Sequence, residues 1–186
     1  MARLPPLNHL PLRIARGARS RGAGGPCGRP RRHPLPPRRS RTHALGHVTG
    51  DGWLDDRLAD IDDYAARHPD AFAAELERYA GVRRAYVRGL LVQPGWSGGD
   101  AWFACFLARA TDATCRSVVR ARTRAGLDAD WQEVAAGSGA RPGSDAYAAL
   151  RLALADSYRR WARPLQPDAA LTRALQQRGQ REPQEH

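Results

Sequence analysis

The sequence predicts an all-α fold, a compact bundle of about six helices over residues 52–165 with a disordered basic segment before it. Apolar residues recur at three- and four-residue intervals, the spacing of one helix face. The pattern of alternating strands and helices that marks α/β folds is missing. The central run Ala101–Leu107 is apolar on nearly every side, and a helix of that kind must be buried.

Charge and proline content divide the chain into three parts. Residues 1–50 hold 11 of the 30 basic residues, all arginine, together with eight of the 14 prolines and no Asp or Glu. The rest of the chain therefore carries 19 basic and 19 acidic residues and has no net charge. We predict that residues 1–50 are disordered, because they lack the apolar surface that offsets ordering entropy. Residues 51–165 form the helical domain, and residues 166–186 are a polar tail.

Residues 1–50 allow three interpretations. We favour an inert extension, arising from a start codon assigned too early, over a basic arm that contacts nucleic acid or an anionic surface. The third is a targeting segment, but prolines 5, 6 and 11 interrupt the apolar run that a secretory signal needs. We therefore expect a cytoplasmic location by default. No stretch approaches the ~18 apolar residues of a membrane span.

The first predicted helix carries Leu54, Leu58 and Ile61 on one face. Its remaining positions include five aspartates, which are Asp55, Asp56, Asp60, Asp62 and Asp63. We interpret them as a solvated acidic face, since calcium sites place their carboxylates in a glycine-bearing loop. A further hypothesis is that the basic segment screens this face.

Two shorter helices follow. Pro69 ends the first helix, Asp70 is the expected N-cap of the second and Gly81 marks its C-terminal end. The third helix spans residues 82–91 and ends before Pro94.

The central helix begins after Ser97, with Asp100 three residues later in a capping-box arrangement. Gly95-x-Ser97-x-Gly99 also matches the nucleophile elbow of α/β-hydrolases. We reject that interpretation, because the elbow needs a preceding strand and a later histidine, and the only histidine after Ser97 is His186.

Cys105 and Cys115 flank the predicted turn between the central helix and a fifth helix that ends at Gly126. An antiparallel helix pair could bring the two thiols within bonding distance. They are either buried free thiols or a disulfide, which would indicate a periplasmic or secreted protein. A zinc site is not expected, because two thiols ten residues apart lack the close ligand pair of such sites.

A short helix from Trp131 and a longer one, capped by Ser144 and closed by Pro164, complete the domain. With the turn between them, they resemble a helix-turn-helix module. Ser138 and Asp145 stand where apolar residues would pack, so we favour a structural turn over DNA reading. The predicted core is Leu58, Ile61, Phe72, Leu76, Tyr79, Val87, Leu90, Trp102, Phe103, Phe106, Val118, Val119, Trp131, Val134, Leu150 and Leu154.

Residues 95–105, 115–118, 131–135 and 142–144 resemble a family of small helical bacterial proteins with no established activity. The shared pattern is Gly-Trp-x-x-Gly-Asp before an Ala-Cys pair, then Cys-Arg-x-Val, Trp-x-x-Val-Ala and Pro-Gly-Ser. The family usually has proline where this chain has Gly98. The resemblance implies a genuine domain with both cysteines in its pattern, and export of many members.

The leading hypothesis is a non-enzymatic helical interaction or structural domain with an unknown protein partner. It predicts an exposed apolar patch at Trp53, Trp96 or Trp161. We expect no catalytic site, cofactor or metal site, since no Cys–His or Ser–His pair has a plausible spacing. The alternative is a nucleic-acid-binding protein that uses the basic segment and a helix-turn-helix-like segment at about 131–160. Its candidate contacts are Arg29, Arg31, Arg32, Arg38, Arg39, Arg41, Arg141 and Arg151.

Overall fold

The computed structural model describes residues 46–126 and 129–181, and this part of the chain is helical without strands. Eight helices lie in it: α1 (Gly52–Arg67), α2 (Pro69–Ala80), α3 (Arg84–Leu91), α4 (Gly98–Ala110), α5 (Cys115–Ala125), α6 (Trp131–Gly137), α7 (Asp145–Arg160) and α8 (Ala169–Arg181). The prediction of an all-α fold is confirmed for these residues, whereas the count of about six helices is too low.

Helix α4 is the centre of the domain, as its sequence predicts. It contacts α1, α2, α3, α5 and α7, and every residue from Gly98 to Ala108 is buried. Ser97 caps it by accepting the N–H of Asp100, and the Asp100 carboxylate accepts the N–H of Ser97 in return. The capping box therefore fixes where the buried helix begins.

Glycines let α4 approach α1 closely. A Cβ at Gly98 would lie 2.4 Å from the Cβ of Ala65, and one at Gly99 would lie 2.6 Å from the carbonyl oxygen of Leu58. Neither distance is compatible with a side chain, so the two backbones pack directly. The Gly-Gly-Asp sequence is thus explained by helix packing.

The predicted core is buried, apart from Tyr79, which is half-buried. Aromatic rings fill its middle: Trp102 stacks on Phe106 with ring centroids 4.4 Å apart, and Phe103 meets the edge of Trp131 at 5.1 Å. The Nε1–H of Trp102 donates to the buried Ser157 hydroxyl. The polar handles of the core are therefore satisfied within the domain.

Residues 46–50, which the prediction assigns to the basic segment, include side chains that pack on the helical domain. Thr49 is fully buried, its N–H and hydroxyl donate to the Asp55 carboxylate, and its carbonyl accepts the Tyr147 hydroxyl at 2.6 Å. Composition alone does not distinguish residues 46–50 from the basic segment before them, because residues such as Thr49 contact side chains that are far away in the sequence. Residues 1–45 lie outside the described part of the chain.

The C-terminal boundary also differs from the prediction, because α8 occupies most of the expected polar tail. Leu171 and Ala174 are buried on it, and the Asp168 carboxylate accepts the N–H of Leu171 at its start. Asp168 also receives Arg151 from α7 at 2.7 Å. The buried Leu171 and Ala174, together with the Arg151–Asp168 ion pair, hold α8 on the domain, although its sequence shows only a weak helical pattern of apolar residues.

The acidic residues of α1 are less exposed than predicted. Asp55 binds Thr49, Asp60 binds Arg163 and the Tyr158 hydroxyl, and Asp62 accepts the N–H of Gly99 at 2.6 Å. The interpretation as a solvated face holds for Asp56 and Asp63, which are exposed. The other three carboxylates tie α1 to its neighbours.

Candidate functional site

Helix α5 is held against α4 on one side and exposed on the other. Cys115, its first residue, forms a disulfide with Cys105 of α4, and Val118 and Val119 are buried. Thr114 caps the helix by accepting the N–H of Ser117 at 3.1 Å. These contacts fix which face of α5 points outward. Of the two states predicted for Cys105 and Cys115, the structure has the disulfide and not the free thiols.

Three arginines form a row on the outward face of α5. Arg116, Arg120 and Arg124 are spaced four residues apart, so they share a face, and all three are exposed. None forms an ion pair with a carboxylate of the described residues. Helix α5 itself contains no acidic residue. We call these three residues the basic stripe.

The fourth arginine of α5 has a structural role. The Arg122 guanidinium lies 5.0 Å from the centroid of the Trp131 ring and donates to the carbonyl oxygens of Gly126 and Ala129. It therefore joins α5 to the start of α6, and it is not a member of the basic stripe.

A cleft of about 340 Å³ opens at the N-terminal end of the basic stripe. Its floor includes Val82, Ala108 and the Cys105–Cys115 disulfide, all of them buried. The connection between α2 and α3, the end of α4 and the start of α5 surround it. We refer to this depression as the cleft.

Three arginines from different elements stand at the rim of the cleft. Arg83 precedes α3, Arg109 lies in the last turn of α4 and Arg116 lies in the first turn of α5, and all are exposed. The Arg116 guanidinium lies 5.3 Å from the ring centroid of Tyr86, which is half-buried in the same cleft. No acidic residue lines the cleft, so positive charge predominates in its lining.

Arginines just outside the cleft are neutralised. Arg84 binds Glu77 at 2.5 Å, and Arg88 binds Asp70 at 2.7 Å. The Arg84 guanidinium holds the pKa of the Glu77 carboxyl below its ordinary value. The charges of Arg84 and Arg88 are thus balanced by carboxylates, whereas the arginines at the rim have no described carboxylate partner.

A second polar cluster lies at the opposite end of α4. The His47 ring is buried between two carboxylates: Nε2 is 2.9 Å from Asp62 and Nδ1 is 3.3 Å from Asp100. Asp100 also accepts the indole N–H of Trp131 at 2.6 Å. We call His47, Asp62 and Asp100 the buried triad.

Protonation states in the buried triad follow from these contacts. Burial opposes charge on His47, but its hydrogen bonds to Asp100 and Asp62 outweigh that effect and raise its pKa to about 9. Burial likewise opposes ionisation of Asp100, yet His47 and Trp131 lower its pKa to about 2. The imidazolium and the Asp100 carboxylate are therefore charged and paired at neutral pH, which suits a structural cluster better than a proton-transfer site.

The described residues include neither a nucleophile–base pair in an open site nor a group of three His, Cys, Asp or Glu side chains that could hold a metal ion. The Ser97 hydroxyl donates to Asp100 and accepts the Asp100 N–H, as expected of a helix cap. Glu75, although buried, is bound by Arg160 and Ser157.

The sequence-predicted nucleic-acid contacts are dispersed. Arg29, Arg31, Arg32, Arg38, Arg39 and Arg41 lie outside the described residues. Arg141 is exposed in the loop before α7. Arg151 is buried and binds Asp51 at 2.6 Å and Asp168 at 2.7 Å, so it is an internal ion pair and not a surface contact.

The segment that resembles a helix-turn-helix exposes little of its second helix. Helix α7 packs on α4 and α8, and its exposed residues are Asp145, Ala149 and Arg159. A recognition helix needs a continuous face for the major groove. The spacing of the exposed residues favours a structural turn between α6 and α7.

The aromatic residues expected at a partner surface are largely covered. Trp96 is buried, Trp161 stacks on Tyr64 at 4.1 Å, and the Trp53 indole donates to the carbonyl of Gln166. Among the described residues, the exposed large apolar side chains are Val48 and Val92. Two isolated residues do not form an apolar docking patch, so the predicted patch is not found there.

Two features escaped the sequence analysis. The basic stripe was visible in principle, since arginines at positions 116, 120 and 124 repeat at helical spacing. The role of His47 had no local signal, because its partners are 15 and 53 positions away. Only the folded chain brings them together.

Comparisons of the chain with known protein families, curated proteins and solved structures found no match. Within the described residues, no helix is both long enough and apolar enough to cross a membrane.

Proposed function

We propose that this chain is a non-enzymatic interaction domain that binds an acidic polymer through the basic stripe. The observation that carries the proposal is the row formed by Arg116, Arg120 and Arg124, which is exposed and has no described carboxylate partner. Residues 51–186 have no net charge. The positive potential is therefore concentrated locally, as a binding surface requires.

The spacing of the basic stripe suits an extended anionic partner. Residues four apart on a helix rise by about 6 Å, so the three guanidinium groups can follow a polymer that carries repeated charges. An apolar partner is less well supported, because only Val48 and Val92 are exposed large apolar side chains in the described part. Contacts between exposed charges weaken with salt, which gives the interaction a measurable signature.

The test uses a heparin oligosaccharide as the acidic probe. The starting protein is the full-length chain with the 11 arginines of residues 1–50 changed to glutamine, so that they do not dominate binding. Replacing Arg116, Arg120 and Arg124 with glutamine in that chain is expected to raise Kd about tenfold, because three exposed charge contacts contribute roughly 0.5 kcal/mol each.

A matched control carries Arg67→Gln, Arg141→Gln and Arg173→Gln, three exposed arginines on other surfaces. It has the same net charge as the stripe variant and should bind as the starting protein does. An equal loss in both variants would attribute binding to net charge and overturn the proposal.

We further infer that the domain works in an oxidising compartment, periplasmic or extracellular. The Cys105–Cys115 disulfide supports this, because disulfides persist mainly outside the cytosol. Intact mass after alkylation without reduction should show both thiols protected in natively expressed protein. Alkylation of both would refute the inference.

We also infer kinship with the helical bacterial family whose pattern this chain resembles. Its support is that the first part of the pattern, Gly95 to Asp100, forms the N-terminal end of α4: Trp96 is buried, Gly98 packs on α1 and Asp100 completes the capping box with Ser97. A solved structure of a member with the usual proline at position 98 should show the same cap and the same disulfide. A different fold would end the inference.

Nucleic-acid binding is the second candidate, and the 11 arginines of residues 1–50 favour it. It predicts salt-sensitive binding of a 20-base-pair DNA duplex that falls sharply when residues 1–41 are deleted. This deletion leaves His47 and Thr49 in place. Unchanged binding after the deletion would assign the contact to the helical domain, and no binding by the full chain would exclude this candidate.

A further inference from the structure

The cleft combines two kinds of surface that small-ligand sites share. Its floor is apolar, formed by Val82, Ala108 and the Cys105–Cys115 disulfide. Its rim is cationic, with Arg83, Arg109 and Arg116 contributed by three different elements. Its volume of about 340 Å³ falls within the range of small-molecule pockets, roughly 300–1,000 Å³.

The rim arginines give the lining of the cleft an excess of positive charge, because no acidic residue lines it. Helix α5 begins in the cleft at Cys115, so its N-terminal dipole adds to the positive potential. Guanidinium groups recognise planar or tetrahedral oxyanions through paired N–H donors.

We propose that the cleft binds a small amphipathic anion: a phosphate or carboxylate headgroup held by the rim arginines, with an aromatic or alkyl body on the apolar floor. Tyr86 also lines the cleft, and the Arg116 guanidinium lies 5.3 Å from the centroid of its ring. The site goes beyond the polymer-binding proposal, because Arg83 and Arg109 are not part of the basic stripe.

The test titrates the full-length chain with four probes and follows backbone amide chemical shifts. Phenyl phosphate and benzoate carry both a headgroup and a body, inorganic phosphate carries only a headgroup, and phenol carries only a body. The better of the two amphipathic probes should bind at least about tenfold more tightly than phosphate or phenol, with shifts centred on Val82, Thr114 and Arg116. The comparison between phenyl phosphate and benzoate identifies the preferred headgroup.

Two variants separate the headgroup contact from the body contact. Arg83→Gln with Arg109→Gln should raise Kd for the preferred probe about tenfold, whereas Arg67→Gln with Arg173→Gln should change it less than twofold. Ala113→Trp should block the cleft, because Ala113 lines it and is exposed. Its control is Ala149→Trp, at an exposed position of α7.

Some outcomes would overturn the proposal. Amphipathic probes that bind no better than phosphate, or unchanged binding in the Ala113→Trp variant, would show that the floor takes no ligand. Shifts centred on Arg120 and Arg124 would place the anion on the basic stripe instead. Failure here leaves heparin binding unaffected, and replacing Arg120 and Arg124 leaves the cleft intact, so the two proposals fail separately.

Discussion

The two ends of α4 differ in how their polar groups are used. At the N-terminal end, Ser97, Asp100 and Trp131 are buried and hydrogen-bonded, and the His47 ring lies between two carboxylates. At the C-terminal end, Arg109 stands at the rim of the cleft without a described carboxylate partner. The polar groups at the N-terminal end of α4 are thus buried and paired, whereas Arg109 at the C-terminal end is exposed to solvent.

The difference separates polar groups that folding accounts for from polar groups that it does not. Buried polar groups must be paired, so the N-terminal cluster is accounted for by folding alone. Exposed arginines without a described carboxylate partner are not accounted for in this way. The residues with the most distinctive sequence pattern, from Gly95 to Asp100, therefore belong to the structural end of α4, and the end proposed to bind a ligand has the plainer sequence.

The largest effect is expected from breaking the buried triad. Asp100→Ala should lower the free energy of unfolding by about 3–5 kcal/mol, because it leaves His47 and the Trp131 indole without an acceptor they share. Urea unfolding followed by circular dichroism measures the change. Asp63→Ala, at an exposed position of α1, should stay within about 0.5 kcal/mol. Similar losses in the two variants would contradict the contrast between the ends of α4.

Sequence reasoning succeeded where structure is local. Helical spacing predicted an all-α fold, although it put the number of helices at about six, and the Ser97–Asp100 pair predicted the cap of α4. Both features depend on residues within a few positions of one another. It failed where a contact spans the chain. Thr49 lies beside an arginine- and proline-rich segment, and its pairing with Tyr147 crosses 98 positions.

The candidate site was harder to predict than the fold. The pattern that resembles a helix-turn-helix predicted Arg151 as a nucleic-acid contact. In the fold, Arg151 is instead paired with Asp51 and Asp168. Whether an arginine is free depends on which carboxylates come near it, and that is a tertiary property. The repeat of Arg116, Arg120 and Arg124 was readable in the sequence, but the cleft beside it was not.

The buried triad also predicts how stability varies with pH. His47 has its pKa raised from 6.5 to about 9, so its contribution is complete below pH 6.5 and is lost as pH rises through 9. Asp100 has its pKa lowered from 3.8 to about 2, so its contribution is complete above pH 3.8 and is lost as pH falls toward 2. The contribution of the triad is therefore greatest between about pH 4 and 6.5.

Measuring urea unfolding from pH 6 to pH 9.5 isolates the histidine. The wild-type chain should lose about 3 kcal/mol over this range, since each unit between two pKa values corresponds to about 1.4 kcal/mol. His47→Gln should be nearly flat over the same range, whereas His68→Gln, at an exposed position, should follow the wild type. Retention of the full slope in His47→Gln would assign the pH dependence to other groups.

A smaller change in the free energy of unfolding is expected from replacing two glycines, and its sign differs between Gly99 and Gly89. Gly99→Ala would place its Cβ 2.6 Å from the Leu58 carbonyl oxygen, so α1 and α4 must separate at a cost of about 1–3 kcal/mol. Gly89→Ala in α3 meets no atom within 4 Å, and it should stabilise the domain by about 0.5–1 kcal/mol through helix propensity. Thermal unfolding of both variants measures the difference, and equal shifts would show that the α1–α4 junction is no tighter than an open helix face.

The smallest effect on stability is expected at the basic stripe. Arg120→Gln and Arg124→Gln should each change the free energy of unfolding by less than about 0.5 kcal/mol, because neither side chain is packed or ion-paired with a described carboxylate. Arg160→Gln is the contrasting variant, since it removes the cation paired with the buried Glu75 carboxylate and leaves only the Ser157 hydrogen bond. A large loss from either stripe substitution would show that these arginines support the fold. If both stripe variants keep the free energy of unfolding of the wild type while their affinity for heparin falls, the stripe arginines serve a partner. Arg160, in contrast, serves the fold through its ion pair with Glu75.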